Sequence, residues 1–233
     1  MAAEVILYIG DSGSGKSTAL RNLDPKETVI ITPNSKSLPF PKGHEYKVGQ
    51  NLIQTSELDE IAGAISHIST NMPEVKQIIL EDYTHYFNAR IFSPKFMART
   101  NGGEAFQRWN DFGASVFQSI IAKQGVWRED LLIIVLHHVE LKDTGTIGFK
   151  SSGKLLDNTI IVPSYVNYCL HGIVSPQEDG SIKYEIMTKT DGVRDAKTPF
   201  GLFPNKLPND LAPILDRIRE FRAGKIEITA QFT

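Results

Sequence analysis

Residues 10–18 read Gly10-Asp11-Ser12-Gly13-Ser14-Gly15-Lys16-Ser17-Thr18, or GDSGSGKST. Gly10, Gly15, Lys16 and Ser17 fill the pattern G-x-x-x-x-G-K-[ST] without a gap. That pattern binds phosphate only when it joins a strand to a helix, and the flanking sequence predicts both. Ahead of it, Glu4 to Ile9 is a short apolar, β-branched run that reads as a buried strand. Behind it, Thr18 to Leu23 can continue as a helix. Asp24-Pro25 then ends it, because the residue before a proline is pushed out of the α region. Gly13 and Gly15 allow backbone angles and close approaches that a Cβ would block. Successive N–H groups can then face phosphate oxygens at the positive end of the following helix. Lys16 can reach the β- and γ-phosphates, and the Ser17 hydroxyl can ligate magnesium. All nine positions, Gly10 to Thr18, are therefore expected to hold ATP with Mg2+.

A phosphate loop of this kind needs an acid at the end of a neighbouring strand. Ile78-Ile79-Leu80-Glu81-Asp82 supplies two. Adjacent strand residues face opposite sides, so Glu81 and Asp82 are expected to differ in role. One would orient magnesium with Ser17; the other would polarise the attacking water. A third strand, Leu131 to Leu136, ends in His137-His138. His138 is the candidate γ-phosphate sensor, with His137 as the alternative. A metal site at this pair is disfavoured, since strand neighbours point apart and no third ligand is evident.

Further strands and helices alternate along the chain. Thr28 to Thr32 reads as a strand, 56–70 and 104–123 as helices, and Ile182 to Met187 as half of a hairpin. Ser56 with Asp59 resembles a capping box, and Asn209 is a candidate cap for a last helix running to about Phe221. This alternation predicts an α/β fold with a mostly parallel sheet. Residues 1–224 are expected to form a single domain and 225–233 a tail. The chain has 233 residues and a net charge of −2, which excludes whole-molecule attraction to nucleic acid and requires a local patch for any such contact. Its one cysteine, Cys169, excludes a disulfide framework. The absence of a signal-like N-terminus or a long apolar run predicts a cytoplasmic protein with no membrane partner.

Two stretches are predicted as surface loops. Asn88 to Gly103 carries Arg90, Lys95, Arg99, Phe92 and Phe96. Lys142 to Lys154 carries Lys142, Lys150, Lys154 and Phe149. Basic residues interleaved with an aromatic suit single-stranded DNA, because charge follows phosphates and a ring can stack on a base.

With IILEDYTHY at 78–86, IIVLHHVELKD at 133–143 and TKTDGVRDAKTPFGLFP at 188–204 in this order, the chain resembles phage-encoded RecA-like core ATPases over roughly residues 4–204. These are AAA-type nucleotide-binding proteins, and some act as single-strand annealing recombinases. The resemblance implies a P-loop NTPase with a RecA-like, mostly parallel central sheet flanked by helices. It further implies a DNA-dependent ATPase assembled as a homo-oligomeric ring or filament in the host cytoplasm, with a single-strand DNA-binding protein as a further partner. DNA-binding loops would correspond to 88–103 and 142–154. A cation acting across the subunit interface would come from Lys189, Arg194 or Lys197, with Arg194 and Lys197 preferred. The sequence departs from the family at the end of the second strand. There Thr32-Pro33-Asn34-Ser35 holds no acid, which leaves catalysis to Glu81 or Asp82, or makes hydrolysis slow.

Three other readings compete. Thr188-Lys189-Thr190-Asp191 matches a guanine-reading T-K-x-D, but Asp82-Tyr83-Thr84-His85 lacks the D-x-x-G switch of a GTPase. A small-molecule kinase would show an arginine-rich lid, which is not plain here. A nucleotide-dependent interaction module without turnover remains, on the strength of the missing acid.

Overall fold

The computed structural model describes residues 2–152 and 160–226. Lys154 and most of the expected tail lie outside the described residues.

The chain begins with β1 (Glu4–Gly10), one turn of 3-10 helix (Ser17–Leu20), β2 (Thr28–Thr32), a second 3-10 turn (Pro41–Glu45) and β3 (Leu52–Gln54). Helix α1 (Leu58–Asn71) leads to β4 (Gln77–Leu80), and α2 (Tyr83–Ile91), α3 (Pro94–Met97) and α4 (Gly102–Ile120) lead to β5 (Leu132–His137). A small hairpin of β6 (Val139–Leu141) and β7 (Ile147–Phe149) follows. The chain then forms β8 (Tyr168–Pro176), β9 (Ile182–Met187), β10 (Lys206–Pro208) and α5 (Leu211–Arg222).

Eight strands form one sheet in the order β10-β9-β8-β1-β5-β4-β2-β3. The six from β8 to β3 are parallel, and β9 and β10 join antiparallel at the β8 edge. The fold is thus α/β, a mostly parallel central sheet flanked by helices, with the P-loop at the end of β1. The glycine-loop strand β1 and the acid strand β4 are separated by β5.

Alternation along the strands divides the core into two layers. Val5, Leu7 and Ile9 face α1, α2 and α4, along with Val29, Ile31, Ile78, Leu80, Ile133 and Val135. Ile6, Tyr8, Ile30, Ile79, Ile134 and Leu136 face the opposite side, where Leu211, Ile214, Leu215 and Ile218 of α5 cover them. Strands buried on both faces have to be nearly continuous apolar runs, and these are. Among the described residues no helix is long and apolar enough to cross a membrane.

Several boundaries differ from expectation for local reasons. The helix expected over 18–23 is a single 3-10 turn. The Ala19 N–H is shared between Gly15 O (3.0 Å) and Lys16 O (3.2 Å), and i→i+3 bonds continue at Arg21 and Leu23. Its buried positions Leu20 and Leu23 are three apart, the 3-10 period. The 56–70 helix starts at Leu58 without the Ser56–Asp59 box; Thr55 hydrogen-bonds Glu60 instead (2.5 Å). Asn101 caps α4 by accepting the Glu104 N–H at 2.9 Å. Asp210, rather than Asn209, caps α5, accepting from Ala212 at 3.1 Å.

Candidate functional site

Parallel strands end together, and ligand crevices form at their carboxyl ends. Here β1 ends in the glycine loop, β4 in Glu81-Asp82, β5 in His137-His138 and β2 in Thr32 to Asn34. A cavity of about 830 Å³ opens over this edge, lined by Gly13, Lys16, Ser17, Lys36, Glu81, Asp82 and His138. Its far wall is Ile182 and Tyr184 of β9 with Pro208 and Asn209. Val174 pairs with Tyr184 and Pro176 with Ile182, so this hairpin turns one apolar face towards the cavity.

The loop's shape depends on contacts from far along the chain. Gly15 has φ +85°, and a Cβ there would come within 2.4 Å of the Asn209 amide. Asn209 Nδ2 donates to Gly15 O (2.9 Å), while its Oδ1 accepts the buried Tyr8 hydroxyl (2.6 Å). A Cβ on Gly10 would meet Ser14 Oγ at 2.6 Å. Both positions therefore require glycine for space, and Gly15 requires it for its backbone angle as well.

Lys16 donates to the carbonyls of Gly10 and Asp11, each at 2.8 Å. Burial pushes its ammonium down to about 8, against the pull of Glu81, Asp11 and Asp82. The Ser17 hydroxyl donates to Glu81 Oε1 at 2.5 Å. Glu81 Oε2 is buried with no hydrogen-bond partner among the described residues. Burial, then the neighbouring Asp82 charge, raises the Glu81 carboxyl above the ordinary carboxylate range; the Ser17 hydrogen bond opposes this. A buried carboxylate oxygen without a partner is costly, and a divalent cation beside the Ser17 hydroxyl would satisfy it. The donors are hard oxygens, which suits magnesium. Residues Gly10 to Thr18 likewise fit a polyphosphate, with Lys16 as the half-buried point charge.

The two acids have different partners, and strand alternation is not the cause. β4 ends at Leu80, and Asp82 takes a left-handed conformation, φ 51°, at the head of α2. At that turn Asp82 takes partners other than Ser17. Its Oδ2 accepts from Asn34 Nδ2 at 3.3 Å, and its Oδ1 lies 3.8 Å from His138 Nε2.

The two histidines also separate. His137 is fully buried, stacked on Phe149 with ring centroids 3.8 Å apart. Its Nε2 donates to Lys150 O (2.6 Å), so Nδ1 accepts from the Thr84 hydroxyl (3.1 Å). Burial pushes this imidazole down to about 3, which keeps it neutral and structural. His138 faces the cavity. Burial, then the Lys16 charge, lowers its pKa, with Asp82 opposing. Its backbone N–H donates to the same Thr84 hydroxyl at 2.8 Å.

The 142–154 loop requires a correction. Most of its first half is the β6–β7 hairpin, and Phe149 is 4% exposed against His137 and Phe87. The ring fills the gap between β5 and α2, so it cannot stack on a base. Lys142 pairs with Glu140 at 2.7 Å, and Lys150 is half-buried with its backbone tied to His137 and His138. The 88–103 stretch is also not a simple loop, since it contains the end of α2, all of α3 and the start of α4. It presents Phe92 (71% exposed), Met97 (61%) and, just beyond, Phe106 (58%) beside exposed Lys95 and Arg99.

Lys189, Arg194 and Lys197 do not line the cavity. Arg194 pairs with Asp191 at 2.7 Å, and Lys197 forms a backbone bridge to Cys169. Asp191, the acid of the T-K-x-D match, also accepts the N–H groups of Val193 and Arg194, which pulls it down to about 2. It is a turn residue, not a base reader. Sequence reasoning missed the cations that do line the cavity, Arg21, Lys36 and Lys183. It also missed Asn209 and Tyr184. No short-range pattern marks residues that reach the loop from so far along the chain.

The Lys16 shift gives a pH dependence for polyphosphate binding. The protonated lysine binds phosphate, and its free-protein pKa is about 8. Affinity is therefore expected to hold from pH 6.5 to 7.5 and to fall as pH rises through 8, with proton uptake on binding above that pH. Titration calorimetry in buffers of different ionisation enthalpy reads this directly. A flat affinity from pH 7 to 9.5 would contradict the assignment of Lys16 to phosphate.

No protein-family model and no curated protein matches the sequence. Among solved structures, the chain is similar to the ATPase DotB of Legionella pneumophila, with 15% identity and a TM-score of 0.38 over 83% of this chain and 47% of that one. It is similar to PH0321, an uncharacterised protein of Pyrococcus horikoshii solved with an unknown peptide (14% identity, TM-score 0.41, 85% and 86% of the two chains). It is also similar to the pilus retraction motor PilT with bound ADP (12% identity, TM-score 0.35, 97% and 52%). The chain spans about half the length of DotB and of PilT.

Proposed function

We propose that this chain binds ATP with magnesium and hydrolyses it, and that its work is on single-stranded DNA. One observation carries the nucleotide reading: the Ser17 hydroxyl of the glycine loop is joined to Glu81 at the carboxyl edge of the sheet, with a partnerless buried oxygen beside it. Glu81 and Ser17 hold magnesium, which when bound neutralises charge on the phosphate oxygens. Lys16 and the loop N–H groups hold the phosphates. Asp82, steadied by Asn34, is the carboxylate placed to take a proton from water. His138 reads the phosphate end through its half-buried imidazole, which lines the cavity. Ile182, Tyr184 and Pro208 offer the base an apolar shelf.

The DNA part rests on the resemblance and on one surface. With Phe149 buried, the candidate surface moves to Phe92, Lys95, Met97, Arg99 and Phe106. Lysine–phosphate contacts release counterions, so affinity is expected to fall with salt, and Lys95→Ala with Arg99→Ala to flatten that slope. Phe106→Ala is expected to cost about 1–3 kcal/mol if the ring stacks on a base. Anisotropy of a labelled oligonucleotide at several salt concentrations, with and without a non-hydrolysable ATP analogue, measures both. ATP turnover with and without the oligonucleotide, alongside a sizing experiment, tests the whole reading. Tight ATP binding with no turnover and no DNA binding would favour a nucleotide-dependent interaction module. Asn34, standing where an acid would be expected, favours that second reading.

A further inference from the structure

Four cations line the cavity: Lys16, Arg21, Lys36 and Lys183. Lys16 is the lysine of the glycine loop. Arg21 is committed elsewhere, donating to Asn209 O (2.5 Å) and facing Asp210 at 3.7 Å. Lys183 is paired with Glu185 at 2.7 Å. Lys36 makes no side-chain hydrogen bond or ion pair among the described residues, and it is exposed to the cavity.

Its position is fixed from below. Asn34 Oδ1 accepts the Lys36 N–H at 3.1 Å, closing a tight turn after β2. The same amide donates to Asp82 through Nδ2 at 3.3 Å. Gln54 Nε2 donates to Asn34 O at 3.4 Å from the neighbouring strand β3. The turn that carries Lys36 is thus fastened to the acid pair and to the sheet edge. The Lys36 charge also acts on Glu81, lowering its carboxyl against the burial that raises it. A cation held there lines the same cavity as Lys16 and the two carboxylates.

We propose that Lys36 is a second phosphate cation supplied in cis, contacting the terminal phosphate of a bound nucleoside triphosphate. It stands on the loop after β2, just beyond the Thr32 to Ser35 stretch where the family resemblance leads one to expect an acid. The site then holds its terminal-phosphate cation within one subunit, and Arg194 and Lys197 are not needed for that contact. In hydrolysis, water adds to the γ-phosphorus as the bond to the β–γ bridging oxygen breaks. The electron pair stays on ADP, and the water proton leaves through Asp82 to solvent. Lys36 offsets charge on the phosphoryl oxygens during that exchange. This inference rests on the triphosphate reading of the cavity.

The test compares wild type with Lys36→Met and Lys36→Arg. Affinities for ADP and for a non-hydrolysable ATP analogue, both with magnesium, are measured together with ATP turnover across protein concentrations. In Lys36→Met, ADP affinity is expected to change less than about twofold and analogue affinity to fall about tenfold. Turnover is expected to fall on the order of 10²-fold, as when one preorganised charge partner is removed. Lys36→Arg is expected to recover most of both. Turnover per subunit is expected to be independent of concentration. An unchanged analogue-to-ADP ratio in Lys36→Met overturns the proposal, as does turnover that appears only on assembly. If wild type prefers the analogue but hydrolyses nothing, the hydrolysis reading fails, while the ratio in Lys36→Met still decides the role of Lys36.

Discussion

Lys16→Ala is expected to reduce triphosphate affinity on the order of 10²-fold or more, because hydrogen bonds to charged groups contribute about 1.5–3 kcal/mol each and this ammonium faces two phosphates. The fold is expected to survive. Lys16 donates only to two carbonyls of its own loop, and it belongs to neither layer of the core. Removing a partly buried cation also removes a desolvation cost, seen in its lowered pKa. Melting temperature without nucleotide is therefore expected to stay level or rise. Stabilisation by ATP, which scales with the ratio of ligand to Kd, is expected to vanish. A Lys16→Ala protein that still melts higher with ATP would remove phosphate binding from this loop.

Glu81→Gln and Asp82→Asn are expected to part company. Glu81→Gln takes the charge from the Ser17 side. Magnesium-dependent binding is expected to weaken about tenfold or more, and turnover to fall with it. Asp82→Asn is expected to spare binding and lower turnover, since Asp82 faces Asn34 and His138 instead. The two also differ in stability. A carboxyl whose folded-state pKa is raised destabilises the folded protein once pH exceeds its unfolded value, and that loss grows until the raised pKa is passed. The raised Glu81 carboxyl is such a group. Without magnesium, Glu81→Gln is expected to melt higher than wild type above the normal carboxylate range and level with it at low pH. Melting curves from pH 4 to 8 measure this. Equal hydrolysis by both variants and wild type would show that this strand end does not serve the reaction.

The parts of the site that follow from local rules were readable in the sequence. GDSGSGKST specifies its own turn, and the runs before it, before Glu81 and before His137 have the unbroken apolar character of strands buried on both faces. The helices expected over 56–70 and 104–123, found at 58–71 and 102–120, followed from apolar spacing. Errors arose where a long-range partner overrode a local preference. Phe149 looks like a loop ring among lysines and glycines, yet His137 draws it into the core. Asn209 looks like a helix cap, but Asp210 takes that role because Asn209 is engaged by Tyr8 and Gly15. Strand alternation predicts that Asp82 differs from Glu81, whereas it is the left-handed backbone of Asp82 itself that turns the two apart. Lys36 carries no motif at all; only the Asn34 turn brings it to the cavity.

The hydrogen bond from Asn209 to Gly15 spans 194 residues of sequence. Domains gain structure from the N-terminus as they are synthesised, so the glycine loop leaves the ribosome long before the residue that braces it. An unfinished chain has the whole loop sequence without its brace. ATP is therefore expected to stabilise a chain that ends before Asn209 less than one that includes it.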